Sequence, residues 1–256
     1  MIKLGPAGIG SSKNIEETLE FYKKNNFQLA EVAFVSNIYL KKEEAKKIKE
    51  INKKFKIELS IHAPYYINLN SLEKSKIEAS KKRILKCCER AHDLGAKKVV
   101  FHAGYYSKMD PEEAFQNIKK QILELKKKNK WKVKLLVEVM GKVNVFGSLD
   151  EVLRLSEETK CGICVDFAHL KAINNGKLNI KETLSKIKKY KNIHAHYSGI
   201  NYGSKGEKNH IPINVKEWEI LAKALKKSKL NFTVICESPD TIKDTIKMRK
   251  ILDLQN

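Results

Sequence analysis

The sequence predicts one (β/α)8 barrel, the TIM-barrel architecture, with a metal site at the C-terminal face of its strands. Three observations carry this expectation. Strand-like and helix-like segments alternate eight times with no central break. The length of 256 residues matches the usual size of such a barrel. Six of the strand-like runs meet a histidine or a carboxylate at their ends, and barrel enzymes place their chemistry at the C-terminal ends of strands. One polar strand end is ordinary surface chemistry; six of metal-ligand type are not.

Buried parallel strands read as short continuous apolar runs. Such runs lie near Ile2–Gly5, Leu29–Phe34, Ile57–His62, Val99–His102, Val133–Glu138, Gly162–Asp166, Ile193–His196 and Phe232–Glu237. Amphipathic charged segments separate them, at Ile15–Lys24, Glu43–Lys54, Lys74–Leu94, Pro111–Lys128, Leu149–Glu158, Ile180–Lys189 and Val215–Ser228, and Asp240–Leu254 closes the chain. Boundary chemistry agrees with these positions. Asp110 precedes Pro111 and two glutamates, an N-cap before a first-turn proline. Ser148 to Glu151 has the form of a capping box, and Gly95 follows a long helical segment as a C-terminal cap would. With no linker or low-complexity stretch in view, residues 1–256 are expected to form a single domain.

Composition narrows the function classes. No apolar run reaches the ~20 residues needed to cross a bilayer, and the N-terminus lacks the pattern of a secretion signal. Five cysteines, two of them adjacent, do not read as a disulfide framework, so a reducing cytoplasm is expected. Cys161 and Cys164 form a lone CxxC without a second pair, and core packing is the expected role. The formal charge of +21 suits a polyanionic partner such as nucleic acid. AT-rich codon usage is the competing explanation, because only four of the 51 basic residues are arginine.

The strand-end residues are His62, His102, Glu138, Asp166, the pair His194 and His196, and Glu237. Asp166 and His169 are three apart just past a strand and would serve neighbouring metals if a helix starts there. The polar segment Tyr197 to His210 carries three glycines and ends with Glu207 and His210, again three apart; long loops at this face are usually functional. Gly141 would let the backbone turn away from a crowded site after Glu138, and Glu31 points from the second strand. Of seven histidines only His92 falls in a predicted helix, and it is expected to be structural or exposed. The other six, with four carboxylates, read as a polynuclear site. Imidazole and carboxylate together suit Zn²⁺, with Mn²⁺ or Fe²⁺ as alternatives.

Local sequences carry a resemblance. His62-Ala63-Pro64-Tyr65-Tyr66-Ile67-Asn68-Leu69, Phe101-His102-Ala103-Gly104, Glu138 with Gly141, Cys164-Val165-Asp166-Phe167-Ala168-His169 and Cys236-Glu237-Ser238 resemble the endonuclease IV family of zinc-dependent AP endonucleases, a xylose isomerase-like TIM barrel. The likeness runs from the first strand to the last. It implies three zinc ions per chain. His62, His102 and Glu138 would hold the first; Glu138 would bridge to a second held by Asp166, His194 and Glu237; His169, Glu207 and His210 would hold the third. Three divalent ions against four carboxylates leave about +2, which suits a phosphodiester. Glu138 and Glu237 would be the catalytic residues. The implied reaction is hydrolysis of double-stranded DNA 5′ to an abasic site, leaving a 3′-hydroxyl, by a monomer with no membrane association. Tyr65, Tyr66, Asn37, Ile38 and Tyr39 would wedge into the duplex, with packing at the barrel mouth as the competing role.

The chain departs from the family in two places. Glu207-Lys208-Asn209-His210 stands where the family often has Asp-x-His, and His194 shares its strand face with His196, which is the alternative ligand. Two other functions compete. A metal-dependent sugar isomerase or epimerase of the related xylose isomerase type would use the same residue types but needs fewer metals. A non-catalytic nucleic-acid binder would not need a complete ligand set.

Overall fold

The computed structural model describes residues 1–254 of the chain. Eight parallel strands form the barrel: β1 (Ile2–Pro6), β2 (Leu29–Ala33), β3 (Glu58–His62), β4 (Lys98–Phe101), β5 (Lys134–Glu138), β6 (Gly162–Asp166), β7 (Asn192–Tyr197) and β10 (Asn231–Cys236). Their order around the sheet is β1-β10-β7-β6-β5-β4-β3-β2. The β1–β2 seam closes the ring with fewer bonds: Gln28 N donates to Leu4 O at 3.0 Å, and Gly8 N donates to Glu31 O at 2.6 Å. Gly5 permits this approach, because a Cβ there would lie 1.6 Å from Leu29 O.

Helices α1 (Ile15–Lys24), α2 (Lys42–Phe55), α3 (Lys74–Leu94), α4 (Pro111–Lys128), α5 (Leu149–Thr159), α6 (Phe167–Ile173), α7 (Ile180–Ile187), α8 (Val215–Lys227) and α9 (Thr241–Leu254) follow the strands. Their apolar stripes pack on the outer faces of the strands in one continuous core that includes Phe27, Phe115, Phe146 and Trp218. The expected boundary chemistry is in place. Asp110 accepts from Glu112 N at 2.9 Å, Ser148 and Glu151 cap each other, and Gly95 ends α3 at φ +80°. All five cysteines are buried and free, with Cys164 inside the barrel beside Val100 and Leu136. No helix among the described residues is long and apolar enough to cross a membrane.

The helix that the Asp166–His169 spacing called for is present as α6, just past Asp166. One element departs from the sequence expectation: the polar stretch after Tyr197 is a β-hairpin rather than a loop, with β8 (Gly199–Gly203) paired antiparallel to β9 (Gly206–Ile211). Both α6 and the hairpin project from the C-terminal face and complete the site.

Candidate metal centre

Glu138, at the end of β5, is 1 % exposed and organises the centre. Its two oxygens face different histidines. Oε2 lies 2.8 Å from His62 Nε2 and 3.1 Å from His102 Nε2; Oε1 lies 3.2 Å from His196 Nδ1 and 3.4 Å from His169 Nδ1. A carboxylate so placed can bridge two cations. His62 comes from β3 and His102 from just past β4, with their rings edge to face at 5.1 Å. Donor atoms of His62, His102 and Glu138 all fall within 4.8 Å of one another, as do those of Glu138, Asp166, His196 and Glu237.

Asp166 shows what the second group lacks. It is the N-cap of α6, and its Oδ1 accepts from His169 N at 2.7 Å. Its Oδ2 is buried without a hydrogen-bond partner. An orphaned carboxylate oxygen among three other donors is the arrangement a divalent cation satisfies. The donor set therefore fits Zn²⁺ and similar ions.

The structure corrects one expectation. His194 does not reach this group. In the β6–β7 register His196 lies opposite Asp166, whereas His194 lies opposite Cys164, one layer deeper. His194 Nε2 donates to Glu31 Oε2 at 2.9 Å, and its Nδ1 lies 2.9 Å from Thr233 Oγ1. It borders a cavity of about 490 Å³ at the opposite mouth of the barrel. His196 is the β7 histidine beside Glu138 and Glu237, the latter at 3.4 Å.

The third group is assembled by the hairpin. Gly206 adopts φ +88°, and a Cβ on it would lie 2.0 Å from Gly141 O. This close approach lets Glu207 N donate to Gly141 O at 2.8 Å. Glu207 Oε2 then sits 3.4 Å from His169 Nε2, and Oε1 sits 3.9 Å from His210 Nε2. Donor atoms of Asp166, His169 and His210 also fall within 4.8 Å of one another. Gly141 thus serves as a docking point for the hairpin, beyond the turn expected of it.

Burial and mutual charge set the electrostatics. Burial alone would lower His62 and His169, yet the neighbouring carboxylates, Glu138 for His62 and Asp166 with Glu138 for His169, hold both up to about 9. His102 is lowered, because burial outweighs Glu138 there. Burial would raise Glu138, but His102 and His196 keep it well below the ordinary carboxylate range. Glu237 is raised by burial, which the charge of Glu138 reinforces against that of His196.

His62, His102, Glu138, His169, Glu207, His210 and Glu237 line a cavity of about 290 Å³ that also includes Tyr65, Tyr105 and Lys142. Of the residues expected to meet DNA, Tyr65, Tyr66 and Asn37 are exposed, and Tyr65 lines the cavity. The Tyr65 ring lies 5.8 Å from that of His102. Tyr39 is exposed on one side and stacks edge to face on Phe34 at 5.2 Å. Ile38 is half-buried against the core, a packing role. His92 is exposed on α3, away from this cavity.

Residues 19–253 match the family model of the xylose isomerase-like TIM barrel. The chain belongs to that family. It is 36 % identical to an uncharacterized protein of Methanocaldococcus jannaschii over 98 % of this chain and 96 % of that one. It is 30 % identical to a probable endonuclease 4 of Mycobacterium leprae, over 50 % of this chain and 51 % of the relative, so that match spans about half of each. Three solved structures share the fold. SacUVDE has a TM-score of 0.78 at 19 % identity, covering 100 % of this chain and 99 % of that one. A D-tagatose 3-epimerase-like protein scores 0.74 at 22 %, covering 98 % and 96 %. Endonuclease IV from Thermus thermophilus scores 0.73 at 18 %, covering 98 % and 99 %. The xylose isomerase-like barrel thus houses both nuclease and epimerase names among this chain's neighbours.

Proposed function

We propose that the chain is a metal-dependent phosphodiesterase of DNA repair that hydrolyses duplex DNA 5′ to abasic sites and leaves a 3′-hydroxyl. The observation that carries this reading is the third donor group. His169, Glu207 and His210 extend a two-metal arrangement to three, more than sugar isomerisation needs, and a phosphodiester with two non-bridging oxygens and a leaving oxygen can use all of it. The half-length likeness to a probable endonuclease 4 supports the same reading, as does the +21 charge.

His62, His102 and Glu138 would hold one ion, Glu138, Asp166, His196 and Glu237 a second, and His169, Glu207 and His210 a third; Zn²⁺ is the proposed ion, three per chain. Bound divalent ions supply Lewis acidity toward the phosphate and lower the pKa of water. The protein's own groups do the rest. Glu138 keeps the first two donor groups in register. Glu237, besides serving as a ligand of the second ion, would orient the attacking water through its carboxylate. Tyr65 lines the cavity, with the exposed Tyr66 next to it in sequence, where the sugar with no base to unstack would enter.

Cleavage of a duplex carrying one central abasic analogue, with metal-loaded and chelator-stripped protein, tests the reading. A single metal-dependent cut on the 5′ side is expected. Glu237→Gln should fold as wild type and lose the cut by at least ~100-fold, consistent with loss of the carboxylate that holds the second ion and orients the water. A folded, metal-loaded wild type that leaves the duplex intact but interconverts keto sugars would replace this function with the epimerase one.

A further inference from the structure

The histidines of the centre are held in place in two different ways. His62, His169 and His210 each point Nδ1 at a backbone carbonyl: Ala63 O at 2.8 Å, Val139 O at 2.9 Å and Glu237 O at 3.0 Å. An Nδ1–H donated to a carbonyl leaves Nε2 as the free lone pair, and Nε2 faces a carboxylate in each ring, Glu138 for His62 and Glu207 for His169 and His210; His169 Nδ1 in addition passes 3.4 Å from Glu138 and 3.5 Å from Asp166. His196 is reversed. Its Nδ1 faces Glu138 and Glu237, and its Nε2 lies 2.9 Å from Glu31 Oε1.

Glu31 stands on β2, across the barrel, and is 0 % exposed. No residue already placed in the metal groups touches it except His196. Its Oε2 accepts from His194 Nε2 at 2.9 Å and from Ser60 Oγ at 2.7 Å. His194 is fixed in turn from below. Its Nδ1 lies 2.9 Å from Thr233 Oγ1, which accepts from Lys98 Nζ at 3.2 Å. A fully buried carboxylate is costly unless paired; Oε2 is satisfied by Ser60 of β3 and His194 of β7, whereas Oε1 and His196 Nε2 lie 2.9 Å apart, off line for a hydrogen bond and each without another partner.

We propose that Glu31 is a positioning residue: when the second metal group is filled and His196 Nδ1 no longer bonds Glu138, the unpartnered Glu31 Oε1 takes the hydrogen on His196 Nε2 and so fixes the tautomer in which Nδ1 is the metal donor. This rests on the metal-centre reading above. His194 and Ser60 hold the Glu31 carboxylate at the depth that His196 requires. The ligand this arrangement selects is a divalent cation with a preference for imidazole and carboxylate, shared with Glu138, Asp166 and Glu237. A carboxylate behind a metal-binding imidazole also makes the ring a stronger donor, and removing such a partner usually weakens metal affinity about 10–100-fold.

Glu31→Gln separates this role from simple packing. Glutamine has the same shape but presents one oxygen and one NH₂ to two ring N–H groups, so one ring must turn or move its proton. If His196 moves its proton to Nδ1, the donor atom is blocked. Chelator-competition titration of ions on the purified chain should show one of three Zn²⁺ ions weakened about 10–100-fold in Glu31→Gln, with the other two bound as in wild type. Long-range ¹H–¹⁵N spectra of the imidazole rings in zinc-loaded wild type supply a readout that needs no variant: His62, His169 and His210 bound through Nε2, His196 through Nδ1 with hydrogen on Nε2. Wild type bound through His196 Nε2, or a folded Glu31→Gln chain that titrates identically to wild type, overturns the inference alone. A wild-type chain that takes up no divalent ion overturns the metal reading together with it.

Discussion

Loading the centre with metal must displace protons, and the structure sets how many. His62 and His169 are held up to about 9, so near pH 7 each ring carries a second proton on the Nε2 that would have to serve as ligand. His196 is raised well above its ordinary value by the surrounding carboxylates despite its burial and adds a third. His102 is lowered and contributes none. Acidity is therefore the variable to change. Two units below its pKa, each protonated ring lowers apparent metal affinity about 100-fold, or ~2.7 kcal/mol. Each unit of acidification from pH 8 to pH 6 should therefore weaken the ion that uses His62 about tenfold. Calorimetric titration with Zn²⁺ at pH 7, repeated in buffers of different ionisation enthalpy, counts the protons released. About three per fully loaded chain are expected from the histidines. An affinity flat between pH 6 and pH 8 with fewer than one proton released would rule out these proton positions.

Other levers reach other parts of the centre. Without metal, the raised values of His62 and His169 stabilise the fold fully below pH ~6.5 and are lost as pH rises through 9, so chelated protein should melt lower at pH 9.5 than at pH 6.5, by a few kcal/mol; a rising melting temperature over that range would contradict the assigned charges. Gly206→Ala forces a Cβ toward Gly141 O at a left-handed φ, a strain of about 1–3 kcal/mol. It should undock the hairpin and remove the His169–Glu207–His210 ion while the other two remain; full loading with unchanged melting would disprove the docking role. Tyr65→Ala should keep all ions and weaken binding of an abasic duplex by about 1–3 kcal/mol, the usual range for loss of one aromatic–base stack. Unchanged binding in a gel-shift titration would remove Tyr65 from the interface.

The barrel was legible because its signals are local. Each strand is an apolar run of four to six residues, and the caps at Asp110, Ser148 and Gly95 mark helix ends that the structure keeps. The donor types were legible for the same reason: a histidine or carboxylate closing an apolar run is visible without coordinates. Depth inside the barrel was not. His194 and His196 are two apart and point the same way, so periodicity cannot rank them. The stagger between β6 and β7 ranks them, by setting His196 opposite Asp166. Glu31 was visible only as a polar residue in a strand, because its partners Ser60, His194 and His196 come from β3 and β7. The hairpin read as a loop because alternation in Gly199–Ile211 is masked by glycine and by charge, and its docking depends on a glycine–glycine contact between Gly141 and Gly206.

The ring also has an order of assembly. Its first strand has no full neighbour until the last is made, since β1 pairs along its length with β10 and only at a sparse seam with β2. Phe232 N donates to the carbonyl of Met1, joining the first barrel strand to the last. A chain emerging from the ribosome can pair β2 through β7 side by side, yet it must leave β1 and the free edge of β7 waiting for residue 231 onward. Glu237 arrives last of all the donors. Until then the nascent sheet holds His62, His102, Glu138 and Asp166 around an open gap. Closure is thus a long-range event with a high entropic cost before its contacts form. A truncation before β10 would expose two unpaired edges at once, the arrangement most prone to joining another copy.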